Sequence, residues 1–294
     1  MRRLRRIAKS AMLMSLAGVF LVYLLGPIYW MVATSLMPES EIFAVPPHAF
    51  PHEPTIQNYQ ALLGFGEEET RAYYNEQGMQ IQHLVPSIFN SMKTALLVSI
   101  FTLLVSAPAA YSFARLRFRL SMALLISYMA LRTVPGIVLV VPIFVVLRNL
   151  GLIDTTLSLI LVYCTFTVPF SIWLLQAYFK TIPVELEEAA WVDGWGKFSA
   201  ATRVLLPLAL PGLVAVFILA FMASWSEFIY AVTFTKTVNS QTVTVISSSF
   251  VGLENSRFDL VLAAGVLASL PPFLFALVVQ RFIVVGFAAG ALKG

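Results

Sequence analysis

The chain alternates long apolar stretches with shorter polar segments, and this alternation is its main structural signal. Each apolar stretch reaches the length of about 20 residues that a helix needs to cross the hydrocarbon core of a bilayer. The pattern therefore predicts an all-α integral membrane protein with a single transmembrane domain over residues 1–294. We expect six transmembrane helices, at about 11–36, 94–114, 120–147, 157–178, 208–233 and 260–285.

One amphipathic segment, residues 181–211, lies between the fourth and fifth predicted spans. Thr181 is predicted to be the N-cap of a first short helix, which Asp193-Gly194 would end. A second short helix is predicted over about 195–206, before Pro207. We expect both helices to lie outside the hydrocarbon layer, where a partner can reach them. The acidic residues that suit the positive end of the first helix are Glu185, Glu187 and Glu188.

The polar segment 38–83, between the first two spans, is rich in proline and glutamate. It predicts an extracytoplasmic loop with a short helix at about 55–63. His48 and His52 are four residues apart, a spacing that on a helix would suit a metal ion. Pro51 opposes a helix there. We therefore expect solvated loop histidines and no metal site.

Composition agrees with a membrane protein and excludes a soluble one. Hydrophobic residues make up 59% of the chain and charged residues only 12%, whereas soluble domains carry about 25% charged residues. The mean hydropathy is +0.84. The single cysteine, Cys164, lies inside an apolar run, so we expect a buried thiol and no intramolecular disulfide.

The positions of the basic residues predict the orientation in the membrane. Most of the 19 Lys and Arg residues lie in segments that share one side when six spans are threaded through a bilayer. By the positive-inside rule that side is cytoplasmic. Both termini and the segment 181–207 are therefore predicted to be cytoplasmic. The formal charge of +4 predicts no nucleic-acid partner, because these basic residues sit at membrane edges.

No catalytic apparatus is visible in the sequence. The run Gly194–Lys197 superficially suggests a phosphate-binding loop, but such a loop needs a glycine at position 191 and a Ser or Thr at 198. Trp191 and Phe198 stand there instead. We therefore expect a chain that is not an enzyme, has no nucleotide site of its own, and binds neither a cofactor nor a metal.

Three groups of residues in the amphipathic segment resemble a known motif. Glu188-Ala189-Ala190, Asp193-Gly194 and Leu206-Pro207 are similar to the EAA loop of permease subunits from binding-protein-dependent ABC importers. Ser224–Phe228 resembles the W-x-E-F element that follows this loop in the carbohydrate branch, which includes maltose- and trehalose-type permeases. Residues 280–294 resemble the tail of maltose-type permeases.

The resemblance implies a coupling function and a set of partners. In this family the EAA loop is a coupling helix that docks into an ATPase subunit. The partners implied are a second homologous permease, two ATPase subunits that bind ATP-Mg, an extracytoplasmic solute-binding protein, a sugar and the lipid bilayer of a prokaryotic inner membrane. The resemblance assigns ATPase coupling to Glu188, Ala189, Ala190, Asp193, Gly194 and Pro207.

Four residues are candidates for the substrate pathway. Arg132 and Glu227 are ionisable groups inside predicted spans, where charge is costly and often functional. Each could instead form an internal ion pair, and Glu227 could lie at headgroup level. Trp225 and Tyr230 could stack on the apolar face of a sugar, although aromatic residues in spans also pack against lipid and other helices.

Two alternative functions stay open at this point. The same importer class carries other small polar metabolites, such as glycerol phosphate. A stand-alone secondary transporter is a further alternative, although the predicted spans contain few acids and no histidine from which to build a proton relay.

Overall fold

The protein is built from helices, and no strand occurs in the part that the structure describes. This computed structural model describes residues 2–65, 81–116, 119–131, 133–251 and 257–291, with side chains at all of these except 2–8, 131 and 278–291. In chain order the helices are α1 (Arg2–Ser35), α2 (Glu39–Ile42), α3 (Gln57–Leu63), α4 (Leu84–Arg115), α5 (Ser121–Leu131), α6 (Gly136–Asn149), α7 (Thr156–Thr181), α8 (Glu185–Val192), α9 (Lys197–Ala200), α10 (Leu206–Leu208), α11 (Leu210–Trp225), α12 (Ile229–Phe234), α13 (Val243–Ser248) and α14 (Phe258–Ala291).

Four helical stretches among the described residues are long and apolar enough to cross a membrane. A fifth is added if 197–208 and 210–225, which are bent by 74° at their junction, form one broken span. The two shorter apolar helices are α5 and α6. The all-α membrane architecture is thus confirmed, while the number of six spans stays a prediction. The four long stretches are Lys9–Ser35, Ile81–Arg115, Thr156–Thr181 and Phe258–Leu277.

Two of the predicted spans are not continuous helices. The stretch 120–147 is divided into α5 and α6, and Pro135 occupies the N-cap of α6. Proline lacks an N–H and disfavours helical backbone in the residue before it, so a new helix starts more easily here than the old one continues. The stretch 208–233 is divided into α11 and α12, with Glu227 in the break.

The chain divides into two compact units. The first contains residues 1–85 and 246–269. In this unit Tyr59 shares a hydrogen bond of 2.6 Å with Ser35 at the end of α1. The buried Asn58 donates to the carbonyl oxygens of Ser35 and Met37, 3.3 and 3.4 Å away. The short helix α3, predicted from the sequence, is therefore fastened to the end of α1 by polar contacts.

The second unit contains residues 86–245 and 270–294. Thr102 on α4 and Thr167 on α7 share a buried hydrogen bond of 2.8 Å, which joins these two long helices where an apolar surrounding strengthens it. Where α7 crosses α11, a Cβ on Gly212 would lie 2.7 Å from the Tyr178 ring, so only glycine permits this approach. The amphipathic segment and the residues around Glu227 both belong to this unit.

Candidate functional site

The amphipathic segment begins with the helix α8, whose boundaries follow from local chemistry. The sequence predicted Thr181 as the N-cap of α8, but Thr181 is instead the last residue of α7. Its hydroxyl donates to the carbonyl of Tyr178. The chain leaves the helical conformation at Ile182 because Pro183 follows. At the other end Gly194 has a φ of +87°, and its N–H donates to Trp191. The predicted helix stop at Asp193-Gly194 is thus confirmed.

A buried ion pair seats α8 against the long helix α4. The Arg115 Nε donates to Glu187 Oε1 over 2.5 Å, and Arg115 Nη2 donates to the carbonyl of Ile182 over 2.9 Å. The Glu187 side chain is fully buried and that of Arg115 is 10% exposed. Because a charge-assisted hydrogen bond away from water is strong, this pair links the end of a spanning helix directly to the helix of the EAA motif.

The EAA motif residues divide between the two faces of α8. Glu188, Ala189 and Asp193 are exposed, whereas Ala190 is 7% exposed and packs within the unit. Ala190 and Glu187 are three residues apart and so share the buried face. Gly194 is exposed at the turn. The structure therefore places four of these residues on an accessible surface and Ala190 beneath it.

Large apolar side chains are exposed next to these motif residues. Val192 is 87% exposed and Phe198 is 82% exposed. Trp195, at 40% exposure, lies between them in sequence, and the Arg203 guanidinium sits 5.3 Å from the centre of its ring. We call the exposed residues Glu188, Ala189, Val192, Asp193, Trp195 and Phe198 the coupling surface, after the coupling helix that this segment resembles in sequence.

The second half of the segment is helical over 197–208, close to the helix predicted over about 195–206. It consists of α9, a π-helical stretch over Ala201–Leu205, and α10. Pro207 lies within this helical run, two residues after the π-helical stretch ends at Leu205. A proline inside a helix is a common site of such a distortion. Leu205 and Ala209 are fully buried in a cluster with residues of α7. Pro207 therefore belongs to the connection between the coupling surface and α11, not to the coupling surface.

The carboxylate of Glu227 lies at the start of the short helix α12. It accepts the N–H groups of Tyr230 and Ala231, at 2.9 and 3.1 Å, and the hydroxyl of Tyr163 at 2.8 Å. Thr244 donates to the Glu227 carbonyl at 2.8 Å. The side chain satisfies backbone donors that a helix start leaves free, so the geometry assigns it a structural capping role.

The two aromatic candidates for sugar stacking are buried. Trp225 is 7% exposed and stacks on Phe221, with ring centroids 5.7 Å apart. Tyr230 is also 7% exposed, and its hydroxyl donates to the carbonyl of Gly136 at the start of α6 over 2.8 Å. Neither ring presents a free face in this conformation. Arg132, the remaining candidate, lies outside the described residues.

Two structurally important acids were missed by sequence reasoning. In the sequence, Glu187 is one of three acids at a predicted helix start, and nothing there marks it as buried. Its three-residue spacing to Ala190 is the one local signal that the two residues share a face of the helix. Asp154 was not singled out. It accepts hydrogen bonds from the N–H groups of Lys236 and Thr237, at 2.7 and 3.0 Å, and from the hydroxyl of Ser240. No local pattern indicates contacts across more than eighty residues.

Comparison with known families agrees with this arrangement. Residues 102–287 match the family described as the inner membrane component of binding-protein-dependent transport systems. This match covers more than half of the chain, including the coupling surface and Glu227. The chain belongs to this family. It is an inner-membrane permease of the ABC importer class, and it is not an enzyme.

Full-length relatives extend the similarity beyond this region. The chain is 34% identical over 278 residues to the sulfoquinovosyl glycerol transport system permease protein SmoH of Agrobacterium fabrum, covering 95% of this chain and 92% of the relative. It is 31% identical over 289 residues to the trehalose/maltose transport system permease protein MalG of Thermococcus litoralis, covering 98% of each.

A solved structure has the same fold. It is the crystal structure of a bacterial ABC transporter involved in the import of the acidic polysaccharide alginate, and one of its chains superposes with a TM-score of 0.72. The alignment covers 95% of this chain and 96% of the other, at 20% sequence identity. This match supports the permease fold.

Proposed function

We propose that this protein is one permease subunit of an ATP-driven sugar importer and that its coupling surface receives the ATPase. The observation that carries the proposal is the exposure of Val192 and Phe198 on a segment fastened by the Arg115–Glu187 ion pair. A solvent-exposed apolar patch with motif acids beside it suits a protein partner. A segment held by a buried ion pair can pass a displacement of that partner to α4.

The cargo is proposed from the relatives. The two full-length relatives described above carry names of carbohydrate transport systems, and the solved homologue is associated with alginate. We infer a sugar substrate of the di- or oligosaccharide class. Trp225 and Tyr230 are covered in this conformation. A sugar could contact these two rings only in another conformation; otherwise residues of a second subunit would make the sugar contacts.

The assembly and its orientation are part of the same proposal. A second homologous permease completes the translocation pathway, two ATPase subunits bind ATP-Mg, and an extracytoplasmic binding protein delivers the sugar. The coupling surface and both termini face the cytoplasm, as the distribution of basic residues predicts. This chain supplies the helices and the docking surface, while ATP hydrolysis takes place on the partner.

The experiment that tests this function is co-purification of the tagged chain with its ATPase from native membranes. Replacing Val192 with Asp puts a charge into the coupling surface, and we expect the ATPase to be lost from the complex. Phe65→Asp is the matched control, because Phe65 is 81% exposed but lies in the other unit.

The two variants give a clear decision. Loss of the ATPase with Val192→Asp, and its retention with Phe65→Asp, would support the coupling surface. Retention of the ATPase and of ATP-dependent sugar uptake with Val192→Asp would overturn it. Sugar uptake by the purified chain alone in liposomes would instead identify a stand-alone carrier.

A further inference from the structure

Three potential metal ligands converge in the segment that follows α1. The Nδ1 atoms of His48 and His52 are 2.7 Å apart. Glu41 Oε1 lies 3.0 Å from the first of these atoms and 3.4 Å from the second. Among the described residues this is the one group of three or more His, Cys, Asp or Glu side chains whose ligand atoms approach one another in this way.

The carboxylate is held in place before any ligand arrives. The backbone N–H of His52 donates to Glu41 Oε1 at 2.7 Å, and that of Glu53 is 3.4 Å from Oε2. These N–H groups orient the carboxylate towards the two imidazoles.

The histidines are held by a chain segment that is itself fastened to α1. Tyr29 donates its hydroxyl to the carbonyl of Ala49 at 2.7 Å, and its ring packs edge-on against Phe50 with centroids 5.9 Å apart. The N–H of Thr55 donates to the carbonyl of Leu36 at 2.7 Å. The segment thus has its own supports, so the two imidazoles are brought together by the fold and not by a helical spacing.

A cation between the three atoms would satisfy all of them together. Each is an atom with a lone pair, and a neutral imidazole carries a single N–H, on one of its two nitrogens. One proton at Nδ1 can serve one of the close contacts but leaves acceptors facing each other in the rest. A metal ion accepts all three lone pairs at once.

The distances also suit a tetrahedral ion. With metal–ligand bonds of about 2.0–2.1 Å, neighbouring ligand atoms of a tetrahedron are about 3.3 Å apart. The separations of 2.7, 3.0 and 3.4 Å observed here lie within about 0.6 Å of this value, the shortest being that between the two histidines. The Glu41 side chain is 8% exposed, His48 31% and His52 67%, so the site is closed on the carboxylate side and open to water on the other.

We propose that Glu41, His48 and His52 bind a divalent transition-metal ion of the Zn²⁺ class, with water in the fourth position. Two imidazoles and one carboxylate favour Zn²⁺, Cu²⁺ or Ni²⁺ over Mg²⁺ and Ca²⁺, which prefer all-oxygen sites. The ion would cross-link α2 to the proline-rich segment 46–54. It would thereby stiffen the segment that follows the first span, on the side of the membrane where we place the binding protein.

The test measures zinc binding by the full-length chain in lipid nanodiscs. The protein is first stripped of metal with a chelator, then dialysed against Zn²⁺, and its bound metal is measured. The chain has three histidines, so His83→Ala is the matched control. We expect one Zn²⁺ per chain for the wild type and for His83→Ala, and none for the double variant His48→Ala, His52→Ala. Glu41→Gln keeps the shape and should weaken binding at least about tenfold, the loss typical even of an outer-shell partner.

Two further measurements distinguish a specific metal site from adventitious metal binding. Co²⁺ should give the visible absorption of a low-symmetry N/O site in the wild type and not in the double variant. Zn²⁺ should raise the thermal unfolding temperature of the wild type and of His83→Ala only. Equal zinc content in the wild type and the double variant, loss of zinc in His83→Ala, or no zinc in the wild type would each overturn the proposal.

Discussion

Arg115 and Glu187 form a buried ion pair between the end of α4 and the helix α8, with 2.5 Å between Nε and Oε1. The neighbouring Glu188, which carries the EAA motif, points the other way and is exposed. Adjacent helical residues are about 100° apart, so one glutamate anchors the segment while the next is available to a partner. The two acids therefore have different functions despite their identical chemistry.

Removing the anchor should destabilise the protein, whereas removing the motif glutamate should not. Glu187→Ala leaves the Arg115 charge buried without its partner, and we expect a loss of about 3–5 kcal/mol. Glu188→Ala should change stability by no more than about 0.5 kcal/mol, because the side chain is exposed, yet reduce ATP-dependent uptake. Chemical denaturation in detergent and transport in proteoliposomes measure the two effects.

The double variant Arg115→Met, Glu187→Met provides the control for this pair. If Glu187→Ala lowers the free energy of unfolding because the buried Arg115 charge loses its partner, the double variant should recover much of the stability. Equal stability losses in Glu187→Ala and Glu188→Ala would contradict the assignment of the anchor.

The turn after α8 should depend on glycine at one position and not at its neighbour. Gly194 has a φ of +87° and Gly196 a φ of −69°, while a Cβ on either would meet no atom within 4 Å. Gly194→Ala should therefore cost about 1–2 kcal/mol and weaken ATPase binding, and Gly196→Ala should cost little. Thermal unfolding and co-purification of both variants measure this. Similar behaviour of the two variants would show that backbone conformation is not the cause.

Substitution of Glu227 should lower the stability of the protein and leave its substrate affinity unchanged. Glu227→Ala removes the acceptor of two N–H groups at the start of α12, and loss of a helix cap costs about 0.5–2 kcal/mol. We expect a lower unfolding temperature and an unchanged KM for sugar uptake by the assembled transporter. Tyr163→Phe, which removes only the third donor, should have a smaller effect on stability. An increased KM with unchanged stability would instead place Glu227 in the substrate pathway.

Asp154 should hold the beginning of the loop after α12 in a pH-dependent way. Partial burial alone would raise its pKa, but hydrogen bonds from Ser240 and from the N–H groups of Lys236 and Thr237 lower the pKa from 3.8 to about 2. Because the folded-state pKa is the lower one, the stabilisation is complete above about pH 4 and is lost as the pH falls towards 2.

The corresponding variant is Asp154→Asn. At neutral pH we expect it to lower stability by about 1–2 kcal/mol, since the site is only partly screened from solvent. The difference from the wild type should shrink as the pH falls below about 4. Unfolding temperatures of both proteins between pH 7 and pH 3 measure this. A difference that does not depend on pH would contradict the role of the charge.

The sequence by itself determined the class of protein, and it predicted where the segment that resembles a coupling helix lies. Long apolar runs predict spanning helices because the energetic cost of inserting a residue depends mainly on that residue and its neighbours. The stop at Gly194 and the short helix α3 were readable for the same reason, since helix ends depend on local backbone preferences.

Only the tertiary structure decided which side chains work together. Arg115 and Glu187 are 72 residues apart in the chain, and nothing near either one indicates the other. His48 and His52 were expected to be separate solvated residues because Pro51 opposes a helix, yet their Nδ1 atoms lie 2.7 Å apart beside Glu41. Trp225 and Tyr230 looked available to a sugar and are covered by Phe221 and Gly136. Burial and pairing depend on residues that the fold brings close, and for Arg115 with Glu187 and Tyr230 with Gly136 these residues lie far apart in the chain.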